Sequence, residues 1–248
     1  MDDLRRLQEY ARWIARENSA ETRSVPPFTL YRGNTPDSGW SAAIPHSGAT
    51  PHRPALDELR GALGSVNGAI SIDFFEELFP DLPSALQAAG CATPRQVPLM
   101  ACSPAMLRMP PAVPGLIIDT VTNTSPLTQV QVALDVNAQG FDPGYSGHAT
   151  VEEAEQFRRT LAVARAFVAR LDGIAVAGGM YQALHAGITR LDGIATIERY
   201  RGRGIAAALS AAMTQAAFAG GVALAYLSAA NAVAERVYAR IGYRRIGT

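Results

Sequence analysis

The stretch Ile194–Ala207, I-A-T-I-E-R-Y-R-G-R-G-I-A-A, carries most of the chemistry the sequence shows. An apolar run passes into a turn of arginines and glycines, and the turn opens an Ala-rich segment. Helix starts leave backbone N–H groups unpaired and carry partial positive charge. Gly202 and Gly204 have no side chain to hold a ligand away from those amides. Arg201 and Arg203 add charge. Together these features suit a pyrophosphate. No Gly-Lys-Ser/Thr follows, so this is not a P-loop. The third glycine and downstream acid of the dinucleotide fingerprint are missing as well. Taken alone, a Gly-x-Gly turn serves a tight turn as readily as an anion site.

A second segment narrows the choice. In Asn231-Ala-Val-Ala-Glu-Arg-Val-Tyr238-Ala-Arg-Ile-Gly242-Tyr243, Asn231 stands at a helix N-cap, and Tyr238 lies two turns on along the same face. Gly242 stops the helix. Tyr238 is read either as a core residue with its hydroxyl at the rim or as a functional group.

With both segments in place, the sequence resembles the GCN5-related N-acetyltransferase (GNAT) superfamily. Arg201-Gly-Arg-Gly204-Ile-Ala206 matches its Arg/Gln-x-x-Gly-x-Gly/Ala motif, and Asn231–Tyr243 matches its Asn-x-x-Ala-x-x-hydrophobic-Tyr-x-x-x-Gly-aromatic segment. The likeness covers about Pro114–Thr248. It implies an α/β fold with a mixed, mostly antiparallel, splayed sheet flanked by helices. Acetyl-CoA would lie at the split between strands Ile188–Ile197 and Val222–Ser228. Main-chain groups of Ile194, Ala195 and Thr196 would pair with pantetheine. Arg201, Gly202, Arg203, Gly204, Ile205, Ala206 and Ala207 would hold the pyrophosphate, with Asn231 nearby.

The implied reaction is attack of an amine on the acetyl thioester, with Tyr238 as proton donor to the departing thiolate. The family commonly places a Glu where this chain has Arg190. Asp192, two residues on, shares that strand face unless a bulge intervenes, and is the expected base; Glu198 at the strand exit and His185 between two strands are the other candidates. Arg190, His185 and Tyr145 (in the loop Asp142–His148, where the family's acceptor-gating loop falls) are expected to meet the acceptor. Each also has a plain alternative as a solvated surface or turn residue. No metal is expected, because His46, His52 and His148 lack ligand spacing.

The elements that must position these groups divide at proline. All 16 prolines lie between Pro26 and Pro143. The stretch Met106–Gly115, MLRMPPAVPG, continues neither a helix nor a central strand. Domains are expected at 1–110 and 111–248. In the first, Asp3–Asn18, Pro54–Leu63 and Ser84–Ala89 read as helices. Phe28–Tyr31, Trp40–Ile44, Ala69–Ile72 and Gln96–Ala101 read as strands, with a long loop over Asn34–Pro54. Asp73–Cys102 looks similar to the degenerate N-terminal domain of tandem GNAT proteins. It lacks the phosphate motif, so no cofactor is expected there; it would wall one side of the acceptor pocket or simply complete the sheet.

In the second domain, Leu116–Thr122, Ala164–Leu171, Ile174–Ala177, Ile188–Ile197, Val222–Ser228 and Tyr243–Ile246 read as strands. Ser125 is expected to cap a helix that has Pro126 at its first position and ends at Gly140. Val151–Leu161, Gly204–Phe218 and Ala232–Ile241 read as helices. The sequence Arg-Leu-Asp-Gly-Ile-Ala occurs twice, at 170–175 and 190–195. The first Asp-Gly reads as a hairpin turn and the second as a turn or a bulge.

Composition sets the outer limits. The 248 residues are 48% apolar and 18% charged, a globular profile. Twenty-two basic residues, all arginine, balance 22 acidic ones, so no global field draws nucleic acid or an anionic membrane. Cys91 and Cys102 form no framework and read as apolar thiols in a reducing cytoplasm. The N-terminus Met1-Asp2-Asp3 does not read as a signal peptide, and no apolar run reaches spanning length. The resulting expectation is a cytoplasmic N-acetyltransferase for a small-molecule or peptide amine, with a homodimer left open. Two other readings stand beside it: a non-catalytic acyl-CoA sensor, and a generic α/β domain binding another phosphate.

Overall fold

The two copies of Arg-Leu-Asp-Gly-Ile-Ala adopt different structures. At the first, Asp172 and Gly173 both take positive φ, 50° and 84°, as a type I′ turn requires. Leu171 faces Ile174 across its mouth, joining β7 (Arg165–Leu171) to β8 (Ile174–Tyr181). At the second, β9 (Ile188–Thr196) runs straight through. Gly193 sits at φ 63°, and the register against β8 slips between Gly178 and Met180. That is a β-bulge. Asn137 Nδ2 donates to the Gly193 carbonyl from a helix lying on the strand, so tertiary contact holds the second copy extended.

The computed structural model describes residues 2–33, 41–46, 48–49, 53–63 and 71–248. Trp40, His52, Ala69 and residues 34–40 of the long loop lie outside them. Packing divides the chain into residues 1–97 with 247–248, and residues 98–246.

The first unit holds a four-stranded sheet in the order β1-β2-β3-β4: β1 (Ser19–Val25), β2 (Phe28–Gly33), β3 (Ser41–Pro45) and β4 (Ser71–Ile72). The last pair is parallel and the others antiparallel. Helix α1 (Asp2–Glu17) buries Leu4, Leu7, Tyr10 and Ile14, an i, i+3, i+4 stripe. Helices α2 (Arg53–Leu63) and α3 (Leu82–Ala88) complete a core around Phe28, Leu30, Leu56, Leu59, Phe79 and Leu82.

The second unit holds a seven-stranded sheet in the order β11-β5-β10-β9-β8-β7-β6. It adds β5 (Leu99–Cys102), β6 (Leu116–Val121), β10 (Leu224–Ser228) and β11 (Arg244–Gly247). Strand β5 precedes the proline-rich stretch, and the resemblance had grouped it with the N-terminal domain. It pairs instead with β10, Cys102 against Ala225 through Leu99 against Ser228.

Helices α4 (Leu127–Phe141) and α6 (Ile205–Ala219) cover opposite faces of this sheet. A Cβ on Gly178 would touch Val136 of α4, and one on Gly179 would touch Met213 of α6. Adjacent strand residues point to opposite faces. Helix α5 (Val151–Thr160) packs with α4, and α7 (Ala232–Arg240) with α6.

Two expected helix signals act differently. Ser125 Oγ accepts from Thr122 N–H at 3.0 Å, and Pro126 itself is the cap of α4. Gly140 lies inside α4, which ends at Phe141. A Cβ on Gly140 would stand 2.6 Å from the Ala195 Cβ, so the glycine serves close packing onto β9 rather than termination. Strand β8 continues past Ala177 through Gly178-Gly179 to Tyr181, because helices press on both of its faces.

Candidate functional site

Strands β9 and β10 pair in parallel over three positions only, Leu224–Ile188, Ala225–Thr189 and Tyr226–Arg190. Beyond Arg190, β9 stays on β8 and parts from β10. Gln182 N–H donates to the Arg190 carbonyl at 2.8 Å, and Ile197 N–H to the Val176 carbonyl at 2.9 Å. Those bonds turn residues 190 and 197 toward β8. Ladder alternation, shifted once by the bulge, turns Ile194 and Thr196 toward the parted side. Ala195, in register with Gly178, faces the β8 ladder. Of the three residues expected to offer main-chain groups, two therefore present them to the opening. The Thr196 carbonyl is already taken by Arg201 Nε at 2.9 Å.

The turn after β9 delivers the start of α6 to this opening. Gly202 and Gly204 take φ 77° and 83°, left-handed values that favour glycine. No side chain caps α6. Its first hydrogen bond runs from Ala208 N–H to the Gly204 carbonyl at 3.0 Å. The amides of Ile205, Ala206 and Ala207 are thus the orphan donors of a helix start. Among the described hydrogen bonds, none is donated by the amides of residues 202–207.

The arginines do other work. Arg201 bonds the Thr196 carbonyl and, through Nη2 at 2.8 Å, the Gly140 carbonyl, so it clasps the end of β9 to α4. Arg203 Nη2 donates to the Arg199 carbonyl at 3.4 Å. The Arg199 and Arg203 guanidinium carbons lie 5.0 and 5.4 Å from the Tyr200 ring centre. Asn231 Oδ1 accepts from Val233 and Ala234 N–H, both at 3.0 Å. It caps α7 as the sequence predicts.

Tyr238 is buried in the core that also holds Cys102, Leu227 and Tyr243. Burial pushes its pKa up to about 12, so the hydroxyl keeps its proton at neutral pH. Burial also drives Tyr243 upward, while its bond to Thr214 Oγ1 at 2.7 Å opposes the shift. Burial raises the Cys102 thiol to about 11, which leaves it unreactive.

A pH prediction follows from Tyr238. A tyrosine in the unfolded chain ionises near its ordinary value of 10.0. The folded state therefore binds this proton more tightly. That contribution is complete below about pH 10 and is lost as pH rises from there through about 12. The expected loss is roughly 2–3 kcal/mol from Tyr238 alone. Urea midpoints taken across this window should fall more steeply for the native protein than for Tyr238→Phe. Equal slopes would reject the assignment.

Asp192 and Arg190 share one strand face, because the bulge comes after both. Arg190 Nε lies 2.6 Å from Asp192 Oδ2, and Gln182 Nε2 lies 3.0 Å from the same oxygen. No spacing signal pointed to Gln182, because it arrives from the segment just past the end of β8. His185 is exposed in the β8–β9 connection, bridged through its main chain to Ile188, before β9 begins and away from the parted end. Tyr145 OH donates to Asp135 Oδ1 at 3.3 Å. With Gln139, Pro143, Ile197, Glu198 and Arg199, Tyr145 lines a cavity of about 420 Å³.

Residues 136–243 match the model of the acetyltransferase (GNAT) family. This part of the chain is a GNAT domain. The match runs from within α4 to Tyr243, and so includes the bulge, the parted strands, the glycine-rich turn and Tyr238. Solved structures with the same GNAT fold extend the likeness to the rest of the chain. A GCN5-related N-acetyltransferase from Kribbella flavida superposes with a TM-score of 0.80 at 23% identity, over 98% of this chain and 92% of that one. One from Sphaerobacter thermophilus gives 0.65 at 16%, over 89% and 74%. A tandem GNAT protein from the clavulanic acid biosynthesis pathway gives 0.59 at 16%, over 88% and 75%. No curated protein matches the chain.

Among the described residues, no cluster of three or more His, Cys, Asp or Glu suits a metal. No described helix is long and apolar enough to cross a membrane.

Proposed function

We propose that the protein is an acetyl-CoA-dependent N-acetyltransferase acting on a primary amine of a small molecule or peptide in the cytoplasm. One observation carries this reading: the uncapped start of α6, with its unspent amides, stands at the end of the strand that parts from β10. The fit to coenzyme A is structural. Gly202 has nothing within 4 Å of where a Cβ would be, so a phosphate can approach the amides of residues 202–207. Ile194 and Thr196 offer main-chain groups to pantetheine. We assign acyl-CoA binding to residues 111–248, and read residues 1–110 as a degenerate GNAT-like domain without a phosphate motif.

Acetyl-CoA supplies an acyl group activated as a thioester, which an amine attacks with loss of the thiolate. The amine must first be neutral, since an alkylammonium ionises near ~10. Asp192 is the base we assign. Its Oδ2 is engaged by Arg190 and Gln182, and Oδ1 is left for the proton or for a bridging water. Tyr238, held protonated by burial, donates to the sulfur.

Calorimetry with acetyl-CoA tests the cradle. Micromolar binding is expected, and no binding at millimolar ligand would end the reading. Tyr238→Phe should lower kcat about 10²-fold with acetyl-CoA affinity kept, and unchanged turnover would reject the donor role. The close Arg190–Asp192 pair favours a second reading, a non-catalytic acyl-CoA sensor whose carboxylate is tied up. Thiol release across an amine panel separates the two.

A further inference from the structure

Beside the bulge lies a second cavity, of about 80 Å³, lined by Leu134, Asn137, Phe157, Met180 and Gly193 among others. Leu134, Phe157 and Met180 are each half-buried, so apolar surface lines an opening and not a sealed void. The cavity meets β9 at Gly193, the residue between Asp192 and Ile194, where a missing side chain lets a ligand touch the strand.

The polar trio Arg190, Asp192 and Gln182 does not line this cavity but lies next to two residues that do, Met180 and Gly193. Met180 stands opposite Asp192 in the β8–β9 register, which puts their side chains on one face. Gln182 Nε2 reaches both Asp192 Oδ2, at 3.0 Å, and Met180 Sδ, at 4.0 Å. Arg190 lies two residues back on the same face, and its side chain is 38% exposed against 29% for Asp192. An accessible carboxylate, an accessible guanidinium and an apolar recess thus adjoin one another.

We infer that these groups form one acceptor subsite, and that the acceptor is a short aliphatic α-amino acid. The inference rests on the acyltransfer reading and narrows it. The ammonium goes to Asp192, the carboxylate to Arg190, and the side chain into the recess. Charge favours this occupant over a plain alkylamine. Arg190 repels an alkylammonium brought to Asp192, whereas a zwitterion brings its own anion to the guanidinium. Size bounds the side chain. An apolar cavity of about 150 Å³ holds benzene, so about half that volume holds roughly three or four carbons. In the reaction the ammonium first gives one proton to Asp192. The N–C bond then forms as the C–S bond breaks, the second amine proton leaves to solvent, and the thiolate takes one from Tyr238.

The test measures thiol release by the full chain with acetyl-CoA and a series of acceptors, after calorimetry has established acetyl-CoA binding. From glycine to alanine to valine, kcat/KM should rise about fourfold per carbon, then fall for phenylalanine. Isobutylamine, which is valine without its carboxylate, should react at least 10-fold more slowly than valine. Arg190→Gln should erase that gap with acetyl-CoA affinity unchanged. Met180→Ala should move the optimum to larger side chains, and Leu134→Phe should move it toward glycine. A flat series, isobutylamine equal to valine, or turnover confined to other amines would overturn the proposal and leave acyl transfer standing. So would a Met180→Ala effect on acetyl- against butyryl-CoA in place of the amino acid series, since the recess would then hold the acyl chain. Failure of acetyl-CoA to bind would overturn both.

Discussion

Gly202→Asp weakens acetyl-CoA binding at least 100-fold and leaves the protein folded. Gly202 sits at φ 77° with nothing within 4 Å of a new Cβ, and aspartate is among the few residues that tolerate this conformation. The new carboxylate stands just before an uncapped helix start. There it accepts from the same amides that an incoming phosphate needs, and it repels that phosphate as well. Displacing a built-in anion and meeting its charge should raise Kd at least 100-fold, about 3 kcal/mol. Calorimetry gives the affinity, and a thermal melt within a few degrees of the native protein shows that the fold survives. Retained micromolar binding would mean that the phosphates lie elsewhere.

Gly242→Ala behaves in the opposite way, with a loss of stability before any question of activity. Gly242 takes φ 104° at the end of α7. A Cβ there would lie 1.9 Å from the Met106 carbonyl oxygen and 2.7 Å from its carbon. These are backbone atoms, and Arg108 N–H bonds the Ile241 carbonyl at 3.0 Å, so the segment is pinned where it would have to yield. Strain of about 1–2 kcal/mol for the left-handed backbone adds to roughly 1–3 kcal/mol of overpacking. The expected loss is about 3 kcal/mol or more, seen as a fall in the urea midpoint. An unchanged midpoint would show that residues 106–108 can move aside. The two glycines have similar backbones, and their surroundings set the different outcomes.

Local signals were readable where local physics decides. Asn231 caps its helix as its type and position suggest, and Asp172-Gly173 turns as an Asp-Gly between strands should. The same dipeptide at Asp192-Gly193 failed as a turn signal because Asn137, more than fifty residues upstream, holds the strand extended. Gly140 and Gly178-Gly179 looked like stops, since nothing nearby in sequence shows that a helix must approach there. Strand β1, Ser-Ala-Glu-Thr-Arg-Ser-Val, has five consecutive exposed residues and offers no alternation to read.

The candidate site divides along the same line. The glycine-rich turn before α6 and Tyr238 lie in continuous motifs, so they stand out as candidates from the sequence alone. Arg201 was read for its charge, but that charge is spent on two carbonyls of the fold itself. The recess proposed for the acceptor takes Leu134 from α4, Phe157 from α5, Met180 from β8 and Gly193 from β9, with Gln182, just past β8, and Asp192 next to it. No spacing joins them until the sheet is assembled.

The glycines beneath α4 bear on how this protein can change over evolutionary time. A Cβ on Gly140 would stand 2.6 Å from the Ala195 Cβ, and one on Gly178 would stand 3.1 Å from Val136 Cγ1, so a larger residue at either would pry helix and strands apart. Under the proposed acceptor subsite, mutational drift in acceptor choice is channelled to Leu134, Phe157 and Met180, which edge the recess without holding the seat. On that proposal a lineage could retune its acceptor there while the packing of α4 on the strands stays in place.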